Sequence, residues 1–569
     1  MSSPVRRFLV LATLLALLLG VVGASAPVSL AAQPTATSVA GINVDTTTIP
    51  QLEALMNRHR LTSVQLVQFY LHRIAALNPK LHAVIKVSPT ALADALRADA
   101  ARRRGDQRPL LGIPVIVKDN IDTTGMPTTA GSWALAGSSP PDAFIVQRLR
   151  AAGALVIGKA NLSEWANFRS APSSSGWSGV GGQTNMAYVL DRNPCGSSSG
   201  SGVSASADLA TVAVGTETDG SIVCPSGANG DAGIKPTLGL LSRSGIVPIS
   251  AEQDTAGPIA RNVTDAAALL GAMTGVDPTD PATAAQAGHA FTDYTQFLDK
   301  HALQGARIGV WREGTYDPTI SPEIDAIVNQ TVAELEAAGA TVVDPTRIPI
   351  EPAYGPEFTA LLCEFKHDVG AYLVGHTGAG YPKTLQDLID FNNANPALEG
   401  PWNSLIFELA QASPDVTDPT CVDARQSATS IAQAAINDTL AANHLDAIIA
   451  PTNGPAWVTD PVNGDLGGDF STFVGSSSPS AIAGYGSVTV PAGFVGPLPI
   501  GVSFIGGRWS EPQLIGLAYA FEQATHVRVP PQFLTSTTAA AATRGAATNG
   551  ERRAVVPSRS GSSRMMPVR

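Results

Sequence analysis

The chain has 569 residues with a formal net charge of −11, is 44% hydrophobic and 15% charged, and holds 54 glycines and 42 prolines. A chain of this length buries a large core, and the composition is that of a loop-rich globular protein rather than a disordered one. The acidic balance argues against a nucleic-acid or anionic-membrane partner, and only 8 of the 36 basic residues are lysine, so each lysine invites a question.

Arg6 and Arg7 precede an apolar run from Phe8 to Leu19, and small residues follow through Ala32. This pattern predicts an export signal over 1–31, with Ser29 and Ala31 at the small-residue positions of the cleavage site. The alternative, an N-terminal membrane anchor, is disfavoured by the shortness of the run. The expected product is secreted or extracytoplasmic, without stable membrane association after cleavage. Residues 32–47 read as a flexible lead.

"IPQLEALMNRH" and "TSVQLVQFYLHRIAALNP" have helical periodicity. Thr62 with Gln65 forms a capping box, and Asn78-Pro79 is expected to end the second helix. A third helix runs from about Pro89 to Arg104. "LLGIPVIVKDNID" reads as a buried strand entering a polar loop, "DAFIVQRLRAAG" as a helix closed by Gly153, and "ALVIGKAN" as the next strand. "SGVSASADLATVAVG" repeats the helix-then-strand pattern, and "ARIGVW", "LDAIIAPT" and "SVTVPAG" continue the alternation. The rhythm predicts an α/β fold with a mostly parallel or mixed sheet, taken as one large domain over 48–530 with a central mixed sheet covered by helices on both faces. Residues 298–440 hold long polar helices, expected as a cap or insertion over the site. The Ala/Thr/Gly/Ser/Arg-rich tail, 531–569, is expected to be disordered.

Functional loops of such sheets gather at the carboxyl ends of strands, where Lys118 and Ser221 both fall. A serine hydroxyl is a poor nucleophile until a base takes its proton, and no histidine lies between His82 and His289. Lysine can be that base only when desolvation keeps it neutral. Taken alone, Lys118 also reads as an ion-pair partner of Asp119 or Asp122. Ser221 alone reads as a turn residue, and "GSSSGSG" as a linker. The ordered trio of a lysine and two serine loops carries more weight than any one piece.

"GIPVIVKDNID", "GSSSGSGVSASADLATVAVGTETDGSIVCPSGANGDAGIKPTLGLLSRSGIVPIS" and "QDTAGPIARNVTDAAALL" together resemble the amidase signature family of serine hydrolases, from about Thr48 to Ala524. The resemblance implies Ser221 as nucleophile, Ser197 as bridging serine held by a cis peptide bond, and Lys118 as base. It also places an oxyanion hole at the backbone N–H groups of Thr218, Asp219, Gly220 and Ser221, with an acyl-enzyme intermediate. Asp219 and Glu217 stand where the family usually has glycine and aspartate. With Ser199 and "NLSEWANFRS", they resemble the subgroup that includes bacterial peptide amidases, which remove a C-terminal amide. An anionic Asp219 beside an oxyanion hole needs a partner, and the sequence names none.

Trp165, Phe168 and Arg169 are candidates for the entrance and Trp457 for an aromatic contact, with ordinary loop packing as the alternative. Segments around Lys366 and "APTNGPAW" are candidates for the far wall, and Lys235 is expected to be structural. Cys363 and Cys421 form the better candidate disulfide pair, while Cys195 and Cys224, two and three residues from the relay serines, are expected to be free. No ligand cluster such as His-Glu-x-x-His occurs, so no metal or cofactor is expected. The predicted activity is hydrolysis of a small-molecule or peptide carboxamide to acid and ammonia. The alternatives are an aryl-acylamide, carbamate or ester hydrolase, or an inactive binding protein of the same fold. The signal and the charge oppose a component of a transfer-RNA-dependent amidotransferase. Oligomeric state is not legible in the sequence.

Overall fold

The computed structural model describes residues 37–467, 475–538 and the backbone of 555–556. The expected signal over 1–31 and most of the expected disordered tail lie outside the described residues.

Among the described residues, twelve strands form one sheet. In chain order they are β1 (Val84–Val87), β2 (Pro114–Lys118), β3 (Leu155–Ala160), β4 (Val212–Glu217), β5 (Ala232–Lys235), β6 (Thr255–Ala260), β7 (Arg307–Trp311), β8 (Thr341–Thr346), β9 (Ala447–Pro451), β10 (Ser487–Val495), β11 (Leu498–Ile505) and β12 (Val555–Val556). The spatial order is β8-β7-β9-β11-β10-β5-β6-β4-β2-β3-β1, with β12 beside β10. β2 runs parallel to β3 and β4, and β7 parallel to β8 and β9, while β5, β6, β10 and β11 pair antiparallel with their neighbours in this order. The sheet is therefore mixed.

β2, β3 and β4 are buried at every position, which explains their near-continuous apolar sequence. β9 shows that both faces are covered. Ala447 and Ile449 enter the core that holds the helices Pro322–Ala337 and Glu511–Thr525, whereas Ile448 and Ala450 enter the cluster of the helix Pro419–Asn443. The strand period of two delivers alternate side chains to opposite layers.

The helix Ser63–Leu81 begins at the expected capping box, with Gln65 N–H donating to Thr62 Oγ1 (3.1 Å) and Thr62 N–H to Gln65 Oε1 (3.0 Å). It does not end at Asn78-Pro79. Pro79 sits inside the last turn, and the helix closes at His82 (φ 49°), whose N–H reaches the Asn78 carbonyl at 2.8 Å. The Asn78 side chain instead pairs with both backbone groups of Val84 at 2.9 Å and ties the helix to β1. The other expected helices and strands form, including the helix Phe144–Ala151, with Gly153 at φ 94° just beyond it.

Residues 298–440 divide in two. β7 and β8 belong to the sheet edge, while the helices Tyr354–His376, Leu385–Ala394 and Leu405–Ala412 build an apolar cluster with Trp165, Phe168, Val247 and Ile249. A Cys363–Cys421 disulfide clips Tyr354–His376 to Pro419–Asn443. The expectation of free thiols at Cys195 and Cys224 is corrected: they form a second disulfide, with Cα atoms 6.0 Å apart. The two serine segments they flank are already in contact, so the cross-link joins loops that are held together in any case.

Candidate active site

Parallel pairing of β2 with β4, Val117 opposite Val214, brings the carboxyl ends of both strands together. Lys118 ends β2, and the chain leaving β4 at Glu217 turns through Thr218–Ser221 into the short helix Val223–Ala228. From the other side comes the loop before the helix Ser199–Ser206, in which the Gly196–Ser197 peptide is cis. Ser163 N–H donates to the Ser197 carbonyl (3.0 Å), and Ser198 N–H to the Ser221 carbonyl (3.2 Å). The three residues expected to act together therefore stand on segments that meet.

Lys118 Nζ lies 2.8 Å from Ser197 Oγ, 2.9 Å from Thr216 Oγ1 and 3.2 Å from the Thr216 carbonyl. Asn120 Nδ2 donates to the same Thr216 hydroxyl at 3.0 Å. Lys118 has no solvent exposure. Burial pushes its pKa down to about 7, against the opposing pull of the Asp254 and Glu217 carboxylates. A neutral amine has two N–H bonds to give, and Thr216 supplies two acceptors. Its lone pair is then free for the Ser197 hydroxyl proton. Lys118 does not form the ion pair with Asp119 that its position also allowed: Asp119 lies 3.3 Å from buried Lys159 instead.

The turn after β4 is held from several sides. Glu217 accepts the N–H groups of Ile222 (2.7 Å) and Val223 (3.0 Å). Asp254 accepts the Thr218 hydroxyl (2.6 Å) and the N–H groups of Ile249 and Ser250. Gly220 has φ 80°, a left-handed conformation natural to glycine. Among the described residues, the N–H groups of Asp219, Gly220 and Ser221 donate no hydrogen bond. They form a short run of unused donors beside a serine that is 8% exposed. The partner of Asp219 is the Ser477 hydroxyl, and burial raises the Asp219 carboxyl pKa.

Trp165 and Phe168 are buried, edge-on to Phe407 (5.7 Å) and Phe365 (5.0 Å) respectively. Arg169 is buried between Glu164 and Glu399 and donates to the Trp402 carbonyl. The structure thus packs Trp165 and Phe168 against the helices Leu405–Ala412 and Tyr354–His376 and ties Arg169 to Glu164, Glu399 and Trp402. Trp165, Ala166 and Asn167 are all left-handed (φ 49°, 55° and 70°). Trp457 packs on the Cys195–Cys224 pair, and its Nε1–H donates to Asp465 (3.1 Å). Lys366 reaches the Gln411 and Ser413 carbonyls beside the end of Leu405–Ala412, and Lys235 Nζ donates to the Tyr485 carbonyl (2.8 Å). Sequence reasoning missed Thr216, Asn120 and Ser477. Thr216 had a local signal, lying inside the quoted motif, while Ser477 had none.

A family model described as Amidase matches residues 65–515. The chain is 41% identical over 508 residues to a probable amidase of Arabidopsis thaliana, covering 86% of this chain and 92% of that protein. It is 34% identical over 487 residues to a glutamyl-tRNA(Gln) amidotransferase component of Symbiobacterium thermophilum, covering 84% and 96%. Among solved structures, the native peptide amidase from Stenotrophomonas maltophilia is 47% identical with a TM-score of 0.81, covering 86% of this chain and 99% of that one. A peptide amidase in complex with the competitive inhibitor chymostatin is 48% identical with a TM-score of 0.82, with the same coverage. The chain belongs to the amidase family, as a hydrolase of linear amide C–N bonds.

Proposed function

We propose that the protein hydrolyses a carboxamide through Ser221, Ser197 and Lys118. The observation that carries this reading is the 2.8 Å approach of a solvent-free Lys118 Nζ to Ser197 Oγ, with Thr216 occupying its remaining hydrogen-bonding capacity. Neutral Lys118 takes the Ser197 proton as Ser197 takes that of Ser221, and Ser221 Oγ bonds to the amide carbon. The oxyanion is met by N–H groups of the Thr218–Ser221 turn. The relay reverses to protonate the leaving nitrogen, the C–N bond breaks, and ammonia departs. Water then attacks the acyl-enzyme and releases the acid. The proton taken from Ser221 leaves with ammonia, and one from the attacking water restores the hydroxyl through the same relay, so the balance closes with amide and water alone.

The proposed substrate class is a peptide C-terminal amide. Its support is the likeness to solved peptide amidases, together with the resemblance to that subgroup read from Glu217, Asp219 and Ser199 in the sequence. Export through residues 1–31 belongs to the same proposal, and the two disulfides fit an oxidising compartment. The test is a panel of peptide amides, amino-acid amides, anilides, aliphatic amides and esters, with ammonia release measured. Preference for peptide amides, abolished in Ser221→Ala, is expected. Equal turnover of that variant would overturn the assignment.

A further inference from the structure

Gln253 is nearly solvent-free and bonded at both ends of its amide. Its Nε2 donates to the Thr218 carbonyl (3.0 Å) and to Glu357 Oε1 (2.6 Å), while its Oε1 accepts from Arg425 Nη1 (2.8 Å). Two acceptors on one end and a guanidinium on the other leave one orientation for the amide. Arg425 is fixed in turn by Glu364, with two N–H···O contacts of 2.7 Å in the fork geometry of a strong charge-assisted pair. Glu364 follows Cys363, and Arg425 lies one helical turn beyond Cys421, so the disulfide between those helices spans the same place.

A trans peptide sets its C=O and N–H in opposite directions. The Thr218–Asp219 peptide is trans, since the cis bonds among the described residues are at Gly196–Ser197 and Asp344–Pro345. Gln253 draws the Thr218 carbonyl to its own side, and the Asp219 N–H is thereby turned away from Gln253. That N–H has no acceptor among the described residues. Asp254 fixes the Thr218 side chain at the same time, so this peptide is anchored at both its oxygen and its preceding residue.

The geometry points to Gln253 as a positioning residue for the oxyanion hole: with the Arg425–Glu364 pair behind it, it aims the Asp219 N–H at the developing negative charge. The inference rests on the amide-hydrolase reading above, but concerns a residue outside the relay. Gln253 touches no reacting atom. It acts through the orientation of one peptide unit, and the cap-side helices thereby take part in building the site.

The test compares wild type with Gln253→Met, which keeps length and removes the donor, and with Gln253→Glu, which keeps the acceptor for Arg425 but cannot donate while ionised. For each, kcat and KM are measured on a peptide amide, and Ki on a peptide aldehyde, whose serine adduct places an oxygen in the same hole. Thermal unfolding checks the fold, and whichever variant is folded is read. Removal of a direct oxyanion donor costs about 10²–10³ in kcat, so a misaimed one is expected to cost roughly tenfold or more. KM should stay within about twofold, and Ki for the aldehyde should rise by the same factor as kcat falls, as expected for a group acting in the transition state. An unchanged kcat, or a fall without matching weakening of the aldehyde, would overturn the inference. Failure of the wild-type arm to turn over amides would instead strike the functional reading.

Discussion

Cys195 and Cys224 are bonded to each other across the site, one two residues before Ser197 and the other three residues after Ser221, so a covalent link of 29 residues' separation spans both serine segments. It adds a covalent restraint to loops that the proposed relay requires to stay aligned and that the Ser198–Ser221 backbone hydrogen bond already joins. Replacing both cysteines by serine is expected to cost about 2–4 kcal/mol of stability, chiefly through the freed unfolded chain. Thermal unfolding of Cys195→Ser/Cys224→Ser against wild type measures this. Wild type treated with a thiol reductant should move in the same direction, and an unchanged melting temperature in both would show the link to be idle.

Lys118→Arg and Lys118→Ala separate a base from a charge. A guanidinium keeps the positive charge but cannot accept a proton at working pH. Both variants should lose about a hundredfold or more in kcat. Near-normal turnover in the arginine variant would mean that Lys118 only pairs electrostatically.

The pH profile follows from the same residue. In the proposed relay the neutral amine is the active form, and its pKa is pushed down to about 7 by burial. As pH falls through about 7 the amine gains a proton, so kcat/KM should decline toward acid, approaching a tenfold loss per pH unit. Above that value the amine is already neutral and the profile should be flat until another group titrates. An acid limb well above 9 would mean that Lys118 behaves as an ordinary lysine.

Ser197→Ala should retain more activity than Ser221→Ala, because water can occupy the bridging position but cannot replace the acylated oxygen. A fluorophosphonate probe should label wild type and, slowly, Ser197→Ala, and should not label Ser221→Ala. Covalent labelling of Ser221→Ala at the wild-type rate would assign the nucleophile elsewhere.

Gly220→Ala should disturb both shape and function. Its φ of 80° costs a side chain roughly 1–2 kcal/mol, and the new Cβ would stand 3.1 Å from Ser477 Oγ, the partner of Asp219. A lower melting temperature together with reduced kcat is expected. Unchanged kinetics would show that the turn tolerates distortion.

Much of this architecture was legible in the sequence, because strands buried on both faces and amphipathic helices leave periodic traces. The order of Lys118, Ser197 and Ser221 was legible through long motifs. What stayed hidden depends on residues distant in the chain. Gln253 meets Arg425 across 172 positions, and Ser477 meets Asp219 across 258, with no local pattern announcing either contact. The Cys195–Cys224 bond was misread because a cross-link was expected to constrain loops that must align, whereas the two segments are already in contact. Pro79 was misread because its last-turn position is supported by a tertiary use of Asn78.

The strand order also divides the sheet into two runs of sequence. Residues 84–260 supply β5, β6, β4, β2, β3 and β1, and residues 307–505 supply β8, β7, β9, β11 and β10, with β5 and β10 as the seam. Only three residue pairs, Lys235 with Ser487, Ile234 with Val488 and Gly233 with Thr489, register the two runs there. During synthesis the strand edge of β5 therefore waits for about 250 further residues before it is covered. An uncovered edge is a template for pairing with another chain. The same division marks 276–306 as a natural place to split the gene: two co-expressed fragments meeting there would each carry one side of the sheet, and recovery of activity would require their edges to find each other.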